Sequence, residues 1–166
     1  LPQPTKDIAR LRADILQWGY GLVEDALSQE QVARVRDRVL EQAEGERLAG
    51  IAQKTPSGQN INCCVNKGRC FELLIEQHPS VMQAGALIEQ LLDEALGPDW
   101  ICGSLIAAMS LKGGVPQALH QDQGNGFEAR NPLLVNVLTA VTDMDETNGG
   151  TLVIPGSHTT VSDAFR

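Results

Sequence analysis

Residues 100–114 read WICGSLIAAMSLKGG, an apolar run closed by paired glycines, and the fold turns on how that run is taken. Short apolar stretches bounded by Gly, Asn, Asp or Pro suit strands better than helices, which need ten or more residues at a 3.6-residue period. The same texture returns in NPLLVNVLTAVTD (131–143) and GTLVIPGSH (150–158). The second half of the chain therefore reads as β.

The first half has a helical period. Ile8, Leu11 and Ile15 fall on one face of a helix over residues 6–16, and WGYGLVEDAL (18–27) reads as a short strand from Trp18 to about Glu24. Ser28 and Gln31 form a capping box that opens a second helix. Its apolar stripe is Val32, Val35, Val39 and Ala43, with Arg34, Arg36, Asp37, Arg38 and Glu41 around the rest as a solvated face. Gly45 to Asn62 reads as an irregular loop, either a cover over a pocket or a plain surface segment. INCCV (61–65) reads as a short strand and RCFELLIEQ (69–77) as a short helix ended by Pro79. Residues 80–96 form a longer helix with Ala84, Leu87, Leu91 and Ala95 inward, stopped by Gly97-Pro98. Helices first and strands later predict an α+β domain, a helical layer packed on an antiparallel sheet or barrel.

Composition narrows the function. A chain of 166 residues, 42% hydrophobic and 20% charged, is enough for one domain, mainly helical over 1–98 and β over 99–166. A net charge of −8 and a pI near 4.8 argue against a nucleic-acid groove or an anionic membrane surface, each of which needs a basic patch. Small-molecule or protein partners are expected instead. No apolar run reaches the roughly 20 residues of a bilayer span, and LPQPTKDIAR lacks a basic segment followed by an apolar one. Cys63, Cys64, Cys70 and Cys102 form no CxxC pair and read as free thiols in a reducing compartment. The expectation is a soluble cytoplasmic protein.

One stretch carries chemistry. In PQALHQDQGNG (116–126), His120 and Asp122 stand one residue apart where a β-like run loosens into a glycine-rich loop. An imidazole and a carboxylate so placed converge on one cation. A facial set of two histidines and a carboxylate suits Fe(II) and leaves adjacent positions for co-substrate and oxygen, although zinc or manganese takes the same ligands. The bland alternative is a hydrogen-bonded surface pair, since a three-residue pattern is weak on its own.

The order WGYGLVEDALSQEQVARVRDRV (18–39), then HQD (120–122), then NGGTLVIPGSH (148–158) resembles the phytanoyl-CoA dioxygenase (PhyH-like) family of Fe(II)- and 2-oxoglutarate-dependent oxygenases. The natural-product tailoring members look most similar. The resemblance implies a double-stranded β-helix, a cupin-like jelly roll behind an N-terminal helical layer. It implies His120 and Asp122 as iron ligands, 2-oxoglutarate as chelating co-substrate and O2 as oxidant, with ascorbate as an assay additive. The reaction it implies couples decarboxylation of 2-oxoglutarate to hydroxylation, desaturation or rearrangement of a small apolar or polycyclic metabolite in secondary metabolism. Gln117 and Thr151 match positions where such members place an amide and a hydroxyl, and these donors suit the co-substrate carboxylates. Arg69 falls where some members place a further basic contact. Asn60, Asn62 and Asn66 lie near the same region, where turn formation explains them equally well.

The resemblance also requires a distal histidine and, close behind it, an arginine for the far carboxylate of 2-oxoglutarate. The only later histidine is His158, in the PGSH turn and too soon after Asp122 for the strands that should intervene. His78 before Pro79 reads as a cap or a surface residue, not a ligand. The expectation is that the domain is incomplete in this sequence, its last strands and third ligand lying beyond Arg166, with an absent loop between Arg130 and Asn131. An incomplete barrel makes a homo-oligomer or a partner subunit plausible. Two other classes stay open: a catalytically silent binding or partner protein, and a cupin-like metal enzyme such as an isomerase.

Overall fold

The computed structural model describes residues 1–120, 122 and 134–159. It opens with α1 (Ile8–Trp18), whose Asp7 carboxylate accepts from the Ala9 and Arg10 amides and whose end is turned by Gly19 at φ 83. The expected strand from Trp18 is replaced by a single parallel bridge between Thr5 and Val23. Trp18 completes the helix, so only the residues after Gly19 are free to pair.

The next helix, α2 (Gln29–Leu48), starts at the expected capping box: Ser28 Oγ accepts from the Gln31 amide while Gln31 Oε1 accepts from the Ser28 amide. Gln31 is buried and does more than cap. Its Oε1 also accepts from the Gln83 amide and its Nε2 donates to the Pro79 carbonyl, tying the helix start to the turn after His78. Val35, Val39 and Ala43 are buried as the stripe predicts, and Val32 packs at its margin.

Between Gly45 and Asn62, where a loop is expected, the chain completes α2 and folds a hairpin. Strand β1 (Gln53–Thr55) turns through Pro56 and Ser57 into β2 (Gly58–Ile61). Strand β3 (Ala107–Ser110) pairs antiparallel on the other side of β2, with Ile61 opposite Ala107 and Gln59 opposite Met109. The face bearing Gln59, Ile61, Ala107 and Met109 packs toward α2, and the buried Gln59 amide donates to the Ala43 carbonyl. Thus a hairpin lies within the 1–98 part, and INCCV is split: Ile61 ends β2, and Cys64–Asn66 form a 3-10 turn entered through Cys63 at φ 51.

Two helices close the core. The short α3 (Arg69–Ile75) buries Phe71. The last, α4 (Gly85–Leu96), begins five residues later than the expected residue 80 and turns Gly85, Ile88 and Leu92 inward, one position on from the expected stripe. Apolar residues on nearly every side of this helix make the buried face unreadable from periodicity. Leu27, Val35, Val39, Ala43, Ile61, Cys64, Phe71, Met82, Ile88 and Leu92 form one cluster. Beneath it Arg38, Gln42 and Glu46, four residues apart on α2, form a polar ladder. Arg38 stacks 5.5 Å over Phe71 and donates to Gln42 (2.6 Å), and Gln42 donates to the buried Glu46 (3.0 Å), which Lys67 also contacts.

The architecture is α+β, with one three-stranded antiparallel sheet among the described residues. Of the apolar runs in the second half, only Ala107–Ser110 pairs among those residues. Leu134, Val137 and Leu138, and Leu152, Val153 and Ile154, are exposed. Sequence texture marks a segment that suits a sheet, but pairing depends on neighbours distant in the chain. The chain nevertheless returns to its beginning: the Gly156 amide donates to the Trp18 carbonyl (2.8 Å), docking PGSH on the end of α1.

Candidate functional site

Beyond β3, residues 111–114 make a tight turn closed by the Gly114 amide on the Leu111 carbonyl, with Gly113 at the φ of 83 that the bend requires. The Val115 amide then binds the Pro56 carbonyl, so the segment carrying PQALH leaves from a fixed point on the hairpin.

His120 Nδ1 lies 2.8 Å from the Ala118 carbonyl and donates to it, which leaves the lone pair on Nε2. Asp122 Oδ1 is 3.1 Å from that Nε2. Two lone-pair atoms facing each other call for a cation between them, either a proton on the ring or a metal ion. Ligands about 2.1 Å from one divalent ion and at right angles to each other stand about 3.0 Å apart, so the pair has the bite of two adjacent metal ligands. As a plain ion pair it contributes little to stability, since both side chains are about half exposed, 51% and 52%. The expected half-site is therefore geometrically suited to a divalent cation.

Asn136, which no sequence motif marks, also reaches this pair. Its Nδ2 donates to Asp122 Oδ2, which holds the carboxylate by its outer oxygen and leaves Oδ1 toward His120. The available signal was a lone amide inside the apolar run LLVNVL. Gln117 also belongs here: its Nε2 lies 3.5 Å from His120 Nε2.

The other candidates are not hydrogen-bonded to this pair. Thr151 is exposed and forms no hydrogen bond to Gln117, His120 or Asp122. It follows a loop closed by Asp145, whose carboxylate accepts from the Thr147 hydroxyl and the Thr147 and Asn148 amides and is held below the usual range by them, the hydroxyl foremost. Gly149 in that loop packs against Ser110 at the end of β3. Arg69 is bound by Glu76 at 2.7 and 3.0 Å and by Glu72 at 3.0 Å, and Glu76 first, then Glu72, raises its pKa. Asn62 donates to Gln53 across the hairpin base.

Both other histidines have structural partners. His78 Nδ1 accepts from the Ser80 amide at 3.2 Å and meets the Ser80 hydroxyl, the expected cap. His158 binds the Leu16 carbonyl through Nε2. Among the described residues no three His, Cys, Asp or Glu side chains group as a metal site. Arg130 and Asn131, the expected flanks of an absent loop, also lie outside the described residues.

The family model of phytanoyl-CoA dioxygenase (PhyH) matches residues 16–165. No solved structure matches the chain.

Proposed function

Because the chain belongs to the phytanoyl-CoA dioxygenase family, we propose that it is an Fe(II)- and 2-oxoglutarate-dependent oxygenase acting on a small apolar or polycyclic metabolite in secondary metabolism. The observation that carries this reading is the 3.1 Å approach of His120 Nε2 to Asp122 Oδ1, with each group oriented by a second partner. Its fold, in the same proposal, is the double-stranded β-helix of that family.

The chain's own residues have distinct tasks. His120 and Asp122 hold the metal. The Ala118 carbonyl fixes the imidazole tautomer and Asn136 turns Asp122, the outer contacts that orient metal ligands and tune their basicity. When bound, iron with 2-oxoglutarate and O2 supplies oxidative decarboxylation of the co-substrate coupled to oxidation of a substrate carbon. Gln117 and Thr151 offer an amide and a hydroxyl to the co-substrate carboxylates, which need donors once out of water. Arg69 reaches them only by exchanging Glu72 and Glu76 for the co-substrate.

The test is succinate formation from 2-oxoglutarate with Fe(II) and ascorbate. The native chain should turn over and the His120→Ala variant should not; equal turnover in both sinks the assignment. The same reading places the protein in the cytoplasm. All four cysteines are free, and no helix of the described residues is long and apolar enough to cross a membrane.

A second reading, a silent binding or partner protein, draws on the structural engagement of His78 and His158. Mn(II) titration separates the two: a chain that binds no divalent ion at His120 is the silent form.

A further inference from the structure

We propose that the cleft between the β1–β2 turn and the 111–114 turn is an oxyanion-binding site, taking a phosphate or carboxylate group on the substrate at a distance from the carbon to be oxidised. The role as substrate handle rests on the oxygenase reading above; the anion binding does not.

The cleft encloses about 310 Å³, at the small end for a ligand site. Arg47, Lys54 and Lys112 line it with Thr55, Ser57 and the Gly113-Gly114 turn, and no acidic side chain does. In a chain of net charge −8 a wall of this sign is a local exception. Arg47 is partly neutralised by Glu44 on α2, but Lys54 and Lys112 have no carboxylate partner among the described residues. Two lysines without carboxylate partners on the lining of one cleft give it a positive local potential that favours an anion.

The walls are fixed by backbone. The Leu111 amide donates to the Ser57 carbonyl and the Val115 amide to Pro56, both at 2.9 Å. A Cβ on Gly58 would fall 2.0 Å from the Met109 carbonyl oxygen, and one on Gly114 2.2 Å from that of Ser57, so the two turns meet only because both residues are glycine. The Ser57 and Thr55 hydroxyls, hydrogen-bonded to each other at 3.1 Å, add polar groups at the rim. The backbone of this frame is already fixed, so the ordering cost of taking a ligand falls on the lysine side chains.

The cleft also stands near the proposed metal ligands. Val115, pinned at its edge, is five residues before His120, a chain distance of at most about 17 Å. A substrate held here by its anionic end would have to span no more than about that distance to bring a carbon to His120 and Asp122.

The experiment is an amide NMR titration of the whole chain with inorganic phosphate and, separately, succinate, each at constant ionic strength set by chloride. The expected result is saturable shifts confined to residues 54–58 and 111–114, weakened at least tenfold in the Lys54→Gln/Lys112→Gln double variant. These lysines are surface residues, and unchanged α1 and α4 resonances verify folding. Saturation by phosphate alone assigns a phosphate handle, and by succinate a carboxylate. Shifts that do not saturate, or are equal in the double variant, overturn the site. Mn(II) titration of the same samples keeps the readings apart: a chain that binds phosphate but no metal retains the anion site and loses the oxygenase.

Discussion

His158 donates its Nε2 proton to the carbonyl of Leu16, 3.2 Å away and 142 residues earlier in the chain. With the Gly156 amide on Trp18, this satisfies two carbonyls that the last turn of α1 would otherwise leave without partners. The PGSH turn is thereby a clasp between the two ends of the described chain. His158→Ala should cost about 1 kcal/mol of stability in urea unfolding, the size of one exposed hydrogen bond, and leave Mn(II) affinity at His120 unchanged. A lost metal affinity in that variant would move His158 into the ligand set.

Gly19 is the other half of the clasp. At φ 83 it turns α1, and a Cβ there would meet the His158 ring at 2.5 Å. Gly19→Ala should therefore exceed the His158→Ala penalty, reaching about 2 kcal/mol from left-handed strain and displacement together. In the Gly19→Ala/His158→Ala double variant the ring contacts at 2.5 and 2.6 Å are gone and only the 2.8 Å contact with the Cβ of residue 158 remains, so the two losses should be less than additive.

Glu46 is buried on α2 and its carboxyl lies below the usual range, chiefly through the hydrogen bond from Lys67 and secondarily through Gln42. A carboxyl whose pKa falls on folding contributes stability that is complete above its unfolded value of about 4.3 and is lost as pH drops through the folded one. Urea midpoints of the native chain should therefore decline below about pH 4.5 more steeply than those of Glu46→Gln. At neutral pH that variant should be about 2 kcal/mol less stable, because Lys67 loses its partner in a half-buried place.

The fold was legible where its determinants are local. The capping box at Ser28 and Gln31, the stripe on α2 and the stop at Gly97 are short-range patterns, and each is in the structure. The β1–β2 hairpin was hidden because its strands carry Gln53, Lys54, Gln59 and Asn60, with a buried amide where an alternating pattern needs an apolar side chain. At the site, His120, Asp122 and Gln117 lie within a few residues and could be grouped by eye. Asn136 could not, since nothing local announces a partner 14 residues on.

That contact gives the sharpest test of the metal half-site. Asn136 touches only the outer oxygen of Asp122, so it is a positioning residue whose removal leaves both proposed ligands in place. Losing such an outer hydrogen bond typically costs 10–100-fold in metal affinity. Mn(II) calorimetry on Asn136→Ala should show a loss of about that size, and Asn136→Gln, which keeps the amide, should recover part of it. The stability of both variants should stay within about 1 kcal/mol of native, because the Asp122 side chain is half exposed. Unchanged affinity in Asn136→Ala would mean that the carboxylate is oriented from elsewhere, whereas a loss matching that of His120→Ala would make Asn136 part of the ligand set itself.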